Sequence, residues 1–243
     1  MRLQGNMKDT PLFSRLLNRT LPVIRYLPPG YDPQRKYPLL IAQDGRDYIQ
    51  IGRLASTADE WIVKGIIRPM VIIAIPYENR ASRWDLYHPA GPQHQAYTHM
   101  IADELLPRVL ENLSIDTAPE SRTLIGDSLG GTVSFLTALA FPHLFRGVIM
   151  QSPYVSNEMI KRIRTAPDSL PLSVYHSIGR KETEVTTTRG TTEDFLTPNL
   201  ALHRALSARR LQRYTFHELD GSHTWRTWQP DVRLALLERF FVR

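Results

Sequence analysis

The sequence predicts an α/β fold in which a mostly parallel central sheet is covered by helices on both faces. Three observations predict it. Short apolar runs suited to strands alternate with longer stretches of helical period, the order that parallel βαβ units require. Runs such as Tyr37-Pro-Leu-Leu-Ile-Ala-Gln43 and Met70-Val-Ile-Ile-Ala-Ile75 are apolar on consecutive positions, as strands covered on both faces are. Thr123-Leu-Ile-Gly-Asp-Ser-Leu-Gly-Gly131 reads as a strand turning sharply into a helix, with Ser128 at the apex and small residues, Gly126 and Gly130, where the two converge.

Taken in order, Leu21–Leu27 is expected as an edge strand, because Pro22 removes a ladder donor. Pro28–Pro33 is a turn, Tyr37–Gln43 a buried strand, and Asp44-Gly45-Arg46 a turn signal at its end. Thr57–Lys64 is helical, Met70–Ile75 a strand, and Asn79–Pro92, rich in arginine, aromatics, proline and histidine, a loop. Tyr97–Leu113 carries Met100, Ile101, Leu105, Val109 and Leu113 near a helical period, bent at Pro107. After the turn at Ser128, Thr132–Ala140 is a buried helix and Val148–Met150 a strand closing at Gln151-Ser-Pro-Tyr154. Only a short helix around Glu158–Arg164 precedes the strand Leu172–Ile178, so any cap is minimal and the site open. Thr186–Thr197 is a polar loop, Asn199–Arg209 a helix, Tyr214–Leu219 the last strand and Asp231–Phe241 the last helix. No linker or repeat divides residues 1–243, so a single domain is expected.

Composition narrows the function. With no cysteine, disulfides, thiolate metal sites and a cysteine nucleophile are excluded. The net charge of +6 is spread along the chain without a basic block, which argues against nucleic acid. No run approaches a membrane span and the N-terminus lacks an apolar leader core, so a cytoplasmic protein without a membrane partner is expected. The histidines show no ligand spacing and no dinucleotide fingerprint is present, so neither metal nor cofactor is called for.

Ser128 is the candidate nucleophile, and a serine hydroxyl needs a base and an acid that orients the base. In a strand–Ser–helix turn of this kind the order along the chain is serine, acid, histidine, on loops after later strands. His223 lies on the loop after the last strand, in Asp220-Gly-Ser-His-Thr-Trp225; the other histidines lie before Ser128, within helices and strands, or just past a helix end. The acid should follow the strand ending at Gly179, where Glu182 and Glu184 both stand. Glu182, nearer the strand end, is preferred. Asp127 should point away, and Asp220 shares the loop of the histidine. Two oxyanion donors are also needed: the N–H of Leu129, next to the nucleophile, and one from the loop after Gln43, where Gly45 and Arg46 sit.

These residues carry a resemblance to the esterase family of α/β-hydrolases that includes enterochelin esterases, S-formylglutathione hydrolases and mycolyltransferases. It runs from about Arg25 to the C-terminus, through Arg25-Tyr-Leu-Pro-Pro-Gly-Tyr31, Tyr37-Pro-Leu-Leu to Asp44-Gly45, Glu104-Leu-Leu-Pro107, Gly126–Gly131, Ser152-Pro153, Gly179-Arg-Lys-Glu182 and Gly221-Ser-His-Thr-Trp225 with Trp228. It implies an α/β-hydrolase fold, Ser128, Glu182 and His223 as the triad, and Arg46 as the second oxyanion donor through its backbone. The enterochelin-esterase-like branch is the most similar, and it implies a carboxylesterase with a small-molecule ester substrate, including the catecholate trilactone type. The histidine loop departs from the Gly-Gly-His common in the family, with Ser222 in the middle position.

Two further functions compete with ester hydrolysis. Acyl transfer to an alcohol would use the same triad, and a binding protein could use the same scaffold. Retention of serine, histidine and an acid in order argues against the second. Arg46, Arg80, Arg83, Arg180, Lys181 and Arg226 fall in loops at the sheet's carboxyl edge and would favour an anionic ester there. Asp44, Glu78, Asp85, Glu182, Glu184 and Asp220 lie in the same loops, and pairing between the two sets is the preferred expectation.

Overall fold

The computed structural model describes residues 3–187 and 189–242. Its elements are β1 (Asn6–Asp9), β2 (Leu12–Ser14), β3 (Arg19–Leu21), β4 (Ile24–Leu27), β5 (Leu39–Ala42), α1 (Gly45–Gln50), α2 (Leu54–Val63), β6 (Val71–Ala74) and α3 (Arg80–Tyr87). They continue with α4 (His94–His99), α5 (Leu106–Asn112), β7 (Arg122–Asp127), α6 (Leu129–Ala140), β8 (Gly147–Gln151), α7 (Asn157–Thr165) and β9 (Ser169–Gly179). The last are β10 (Val185–Thr186), β11 (Thr192–Glu193), α8 (Leu196–Ser207), β12 (Arg210–Leu219) and α9 (Trp225–Phe240).

An eight-stranded sheet runs β1-β4-β6-β5-β7-β8-β9-β12. The pairs β1–β4 and β4–β6 are antiparallel, and all pairs from β6 to β12 are parallel. The consecutive apolar residues of the strands follow from this burial on both faces. In β5, Leu39 and Ile41 join one core with Leu124, Val148 and the helices α4 to α6, whereas Leu40 and Ala42 join a second core with Ile125, Ile149, α2 and α9. Each leucine, isoleucine or valine taken from water contributes about 1.5–3 kcal/mol. This is the α/β-hydrolase arrangement that the sequence predicts. Among the described residues no helix is long and apolar enough to cross a membrane.

Four elements differ from the sequence expectation. The strand expected at Leu21–Leu27 breaks at Pro22 and Val23: β3 pairs with β2 in a hairpin, and β4 lies inside the sheet, with β1 as the edge. Asn79–Pro92 is not all loop, because Asn79 caps α3. Its side chain accepts from the Ser82 N–H at 2.9 Å, and the Ser82 hydroxyl accepts from the Asn79 N–H at 3.1 Å, a capping box. The helix at Tyr97–Leu113 is not simply bent. Pro107 has no N–H to offer the preceding turn, and Met100–Leu105 widens to π-helix between α4 and α5. Within Thr186–Thr197, Val185–Thr186 pairs with Thr192–Glu193, and α8 begins at Leu196.

Candidate active site

The carboxyl ends of β7, β8, β9 and β12 converge on one point, and each supplies a polar side chain there. Ser128 stands between β7 and α6 with φ 50° and ψ −125°, outside the comfortable range for a residue with a Cβ. The turn is possible because Gly126 has no side chain: a Cβ there would lie 2.1 Å from the carbonyl carbon of Gly130. The Ser128 N–H donates to Gln151 O on the neighbouring strand at 2.9 Å, which pins the strained residue.

The Ser128 hydroxyl lies 3.0 Å from His223 Nε2, and His223 Nδ1 lies 2.6 Å from Glu182 Oε2. A carboxylate only accepts, so Nδ1 carries the proton and Nε2 is left to accept from the serine. Glu182 is fully buried and held on its other oxygen, Oε1, by the Ser152 hydroxyl at 2.6 Å and the Gly179 N–H at 2.9 Å. Ser152 in turn accepts from Trp228 Nε1 at 2.9 Å. The imidazole is packed by the rings of Phe195 at 4.4 Å and Trp228 at 4.8 Å between centroids. Of the two glutamates after β9, only Glu182 enters this group; Glu184 is exposed. Asp220 is likewise exposed and pairs with Lys181 at 2.9 Å.

Leu129 is the first residue of α6 and Arg46 the second of α1, so their N–H groups are among those that a helix leaves without an internal acceptor. The two helix starts are neighbours: a Cβ on Gly130 would come within 2.6 Å of Asp44 Oδ2 and 3.3 Å of Gln43 Cβ. The Arg46 side chain is exposed.

A buried ionic cluster lies beneath these helix starts. Arg83, from α3, donates through Nε and Nη2 to the two oxygens of Asp44 at 2.8 and 2.7 Å, and through Nη2 to the backbone oxygen of Asp127 at 3.2 Å. Burial pushes the Asp127 carboxyl well above the usual carboxylate range, and the Asp44 charge adds to this while Arg83 opposes it. Burial alone would lower Arg83, but Asp44 and then Asp127 outweigh it and keep the guanidinium charged. One oxygen of Asp127 has no hydrogen-bond partner. The sequence marks Asp44 in a turn signal and Asp127 in the stretch around Ser128, but no local pattern brings Arg83 to them; Asn79 and Ser82, the cap of α3, are the local sign of the helix that carries it.

Above Ser128 opens a cavity of about 170 Å³. Trp84, His88, Tyr154 and Phe195 form its aromatic wall, with Arg189 and Glu193 at its polar side. The Arg189 guanidinium sits over the Trp84 ring at 4.9 Å. Among the described residues no group of three or more histidine, cysteine or acidic side chains is placed to hold a metal ion.

Residues 14–238 match the protein-family model Esterase, described as "Putative esterase". The chain is 41% identical over 232 residues to the uncharacterized protein YjcH of Bacillus subtilis (strain 168), covering 96% of each. It is similar in structure to a ferulic acid esterase, with a TM-score of 0.78 at 18% identity over 98% of this chain and 99% of that one. It is similar also to the enterobactin esterase FES from Shigella flexneri, solved in the presence of enterobactin, with a TM-score of 0.81 at 17% identity. There the match covers 96% of this chain but 59% of the other.

Proposed function

This chain belongs to the esterase family and is a carboxylic ester hydrolase, and from that premise we propose that hydrolysis runs through an acyl-enzyme on Ser128. The observation that carries the proposal is the relay from Glu182 through His223 to Ser128, with hydrogen-bond distances of 2.6 and 3.0 Å. The Ser128 oxygen attacks the ester carbonyl as its proton passes to His223 Nε2, and Glu182 stabilises the resulting imidazolium. The carbonyl oxygen becomes an oxyanion between the N–H groups of Leu129 and Arg46, a contact worth about 10²- to 10³-fold in kcat per donor. Collapse expels the alcohol, which takes the proton from His223. Water then repeats the sequence on the acyl-enzyme, with His223 as base, and releases the carboxylic acid.

The cavity of about 170 Å³ is smaller than the roughly 300–1,000 Å³ of pockets that enclose drug-sized ligands. It suits a short acyl group or a single ring, with the rest of the ester in solvent. A catecholate trilactone fits this reading with one aromatic arm against Trp84 and Tyr154.

The test is Ser128→Ala, assayed on p-nitrophenyl esters of increasing chain length beside a catecholate trilactone and S-formylglutathione. Turnover should fall by several orders of magnitude, as loss of a triad nucleophile costs on the order of 10⁶ in a serine protease. A variant keeping more than a tenth of wild-type turnover would remove Ser128 from the mechanism.

A further inference from the structure

Asp44 and Ser128 both adopt left-handed φ values, 51° and 50°, that residues with side chains seldom hold. Each ends a parallel strand's path and starts a helix, α1 or α6, and each of those helices offers one of the N–H groups read above as oxyanion donors. Such strain persists only where surrounding contacts fix it. The Ser128 N–H is tied to β8, but the Asp44 side chain is tied to α3.

That tie is made by one guanidinium. Arg83 grips both oxygens of Asp44, at 2.8 and 2.7 Å, and the same Nη2 reaches the carbonyl of Asp127, the residue before the nucleophile, at 3.2 Å. Tyr87, one helical turn further along α3, accepts the Asp44 N–H at 3.3 Å. Thus α3 holds the residue two before Arg46 and the residue two before Leu129 in a single frame. Arg83 and Asp44 are both buried, with side-chain exposures of 10% and 2%, so water has little access to these bonds although Arg83 borders the cavity above Ser128.

We propose that Arg83 is a positioning residue that sets the separation of the Leu129 and Arg46 N–H groups, and so the fit of the site to the oxyanion. The proposal rests on the reading of those two groups as the donors. Oxyanion stabilisation depends on donors held roughly 2.7–3.1 Å from the developing charge, and a misplacement of about 1 Å costs on the order of 10²-fold in rate. A planar fork with several donors can bind a carboxylate with two nitrogens while also reaching a carbonyl; a lysine ammonium keeps the charge but not that geometry.

The test is Arg83→Lys, with kcat expressed per active site titrated by a fluorophosphonate, so that unfolded molecules are not counted. Turnover of p-nitrophenyl acetate should fall about 10- to 100-fold with KM changed less than about threefold. Affinity for a boronic acid, which forms a tetrahedral adduct on the serine, should fall in proportion to kcat/KM. A merely structural role would lower the melting temperature and the number of titrated sites but leave kcat per site and boronate affinity alone, and that outcome overturns the proposal. A fall in kcat with unchanged boronate affinity also overturns it. If the lysine variant does not fold, Arg83→Met combined with Asp44→Asn removes the base and its acid together and is read in the same way. Ser128→Ala run in parallel separates the two levels: if it stays active the underlying reading fails, and if it is inactive while Arg83→Lys is normal only the positioning role fails.

Discussion

Replacing Glu182 by glutamine changes one atom in contact with the imidazole, and the structure fixes what that atom does. In the wild type Oε1 accepts from Ser152 and Gly179 at 2.6 and 2.9 Å, which dictates that the glutamine oxygen takes this position and its NH₂ group replaces Oε2. That NH₂ then faces His223 Nδ1 from 2.6 Å. It can only donate, so the imidazole proton moves to Nε2 and points at the Ser128 hydroxyl, and the base is lost. The equivalent acid-to-amide change in trypsin lowers kcat about 10⁴-fold through the same tautomer error. We therefore expect Glu182→Gln to reduce kcat about 10³- to 10⁴-fold, or about 4 to 5.5 kcal/mol on the barrier. Glu184→Gln should stay within about twofold, because Glu184 is exposed and outside the relay. The assay is steady-state hydrolysis of p-nitrophenyl acetate near pH 7.5, with folding checked by melting temperature. Glu182→Gln retaining more than a tenth of wild-type kcat would refute the reasoning and leave Ser128 and His223 working as a pair, and a larger loss in Glu184→Gln would move the role there.

Three further measurements follow from individual contacts. Ser152→Ala removes a hydroxyl that donates to Glu182 and accepts from Trp228, leaving a buried indole N–H unpaired; urea unfolding should show a loss of about 1–3 kcal/mol, and kcat should fall by roughly tenfold as Glu182 loosens. Burial holds the His176 imidazole down to about 3, with the Asn199 hydrogen bond opposing, so the folded protein keeps it neutral while the unfolded chain protonates it through about 6.5. The associated stability is complete above 6.5 and drains away as pH falls toward 3, so wild type should lose about 2 kcal/mol between pH 7.5 and 5 that His176→Gln does not lose, and parallel losses would refute the assignment. Arg83, Arg180 and Lys181 are paired with Asp44, Glu218 and Asp220, and Glu193 shares the cavity with Arg189. Matched neutral and anionic esters should therefore show kcat/KM values within about threefold at low and high salt, and an anionic advantage that salt abolishes would show that unpaired bases govern the mouth.

The centre of the sheet is legible in the sequence because β5, β6 and β8 are buried along their whole length and so read as short apolar runs. Its antiparallel edge is not. β1 is Asn-Met-Lys-Asp and fully exposed, a strand by virtue of its pairing with β4 and not of any apolar pattern. The same blindness hides the place of β4, since edge or interior depends on whether a distant segment adds outside it. In α3 the apolar positions are few and Arg83 is buried through ion pairs, so periodicity fails there; the Asn79–Ser82 cap was the available sign. At the site, order along the chain and loop position point to Ser128, His223 and either Glu182 or Glu184, with Glu182 preferred, and Ser128, His223 and Glu182 lie within hydrogen-bond reach of one another. What pattern does not reveal is the support behind them: Ser152 and Glu182 are thirty residues apart, and Trp228 and Ser152 seventy-six.

Two buried acids next to this site show why position in the chain does not by itself assign a role. Asp127 adjoins Ser128 in sequence, yet its side chain lies near the Asp44 charge, one oxygen lacks any partner, and burial pushes its carboxyl up. A carboxyl held toward its neutral form is a poor partner for an imidazolium, and it points to Arg83 instead, with Oδ2 3.8 Å from Nη2. Glu182 is as deeply buried, but Ser152, Gly179 and His223 all direct donors at its oxygens. The acid proposed above as the partner of His223 is therefore the one whose neighbours are donors, whereas the acid beside the serine faces Arg83.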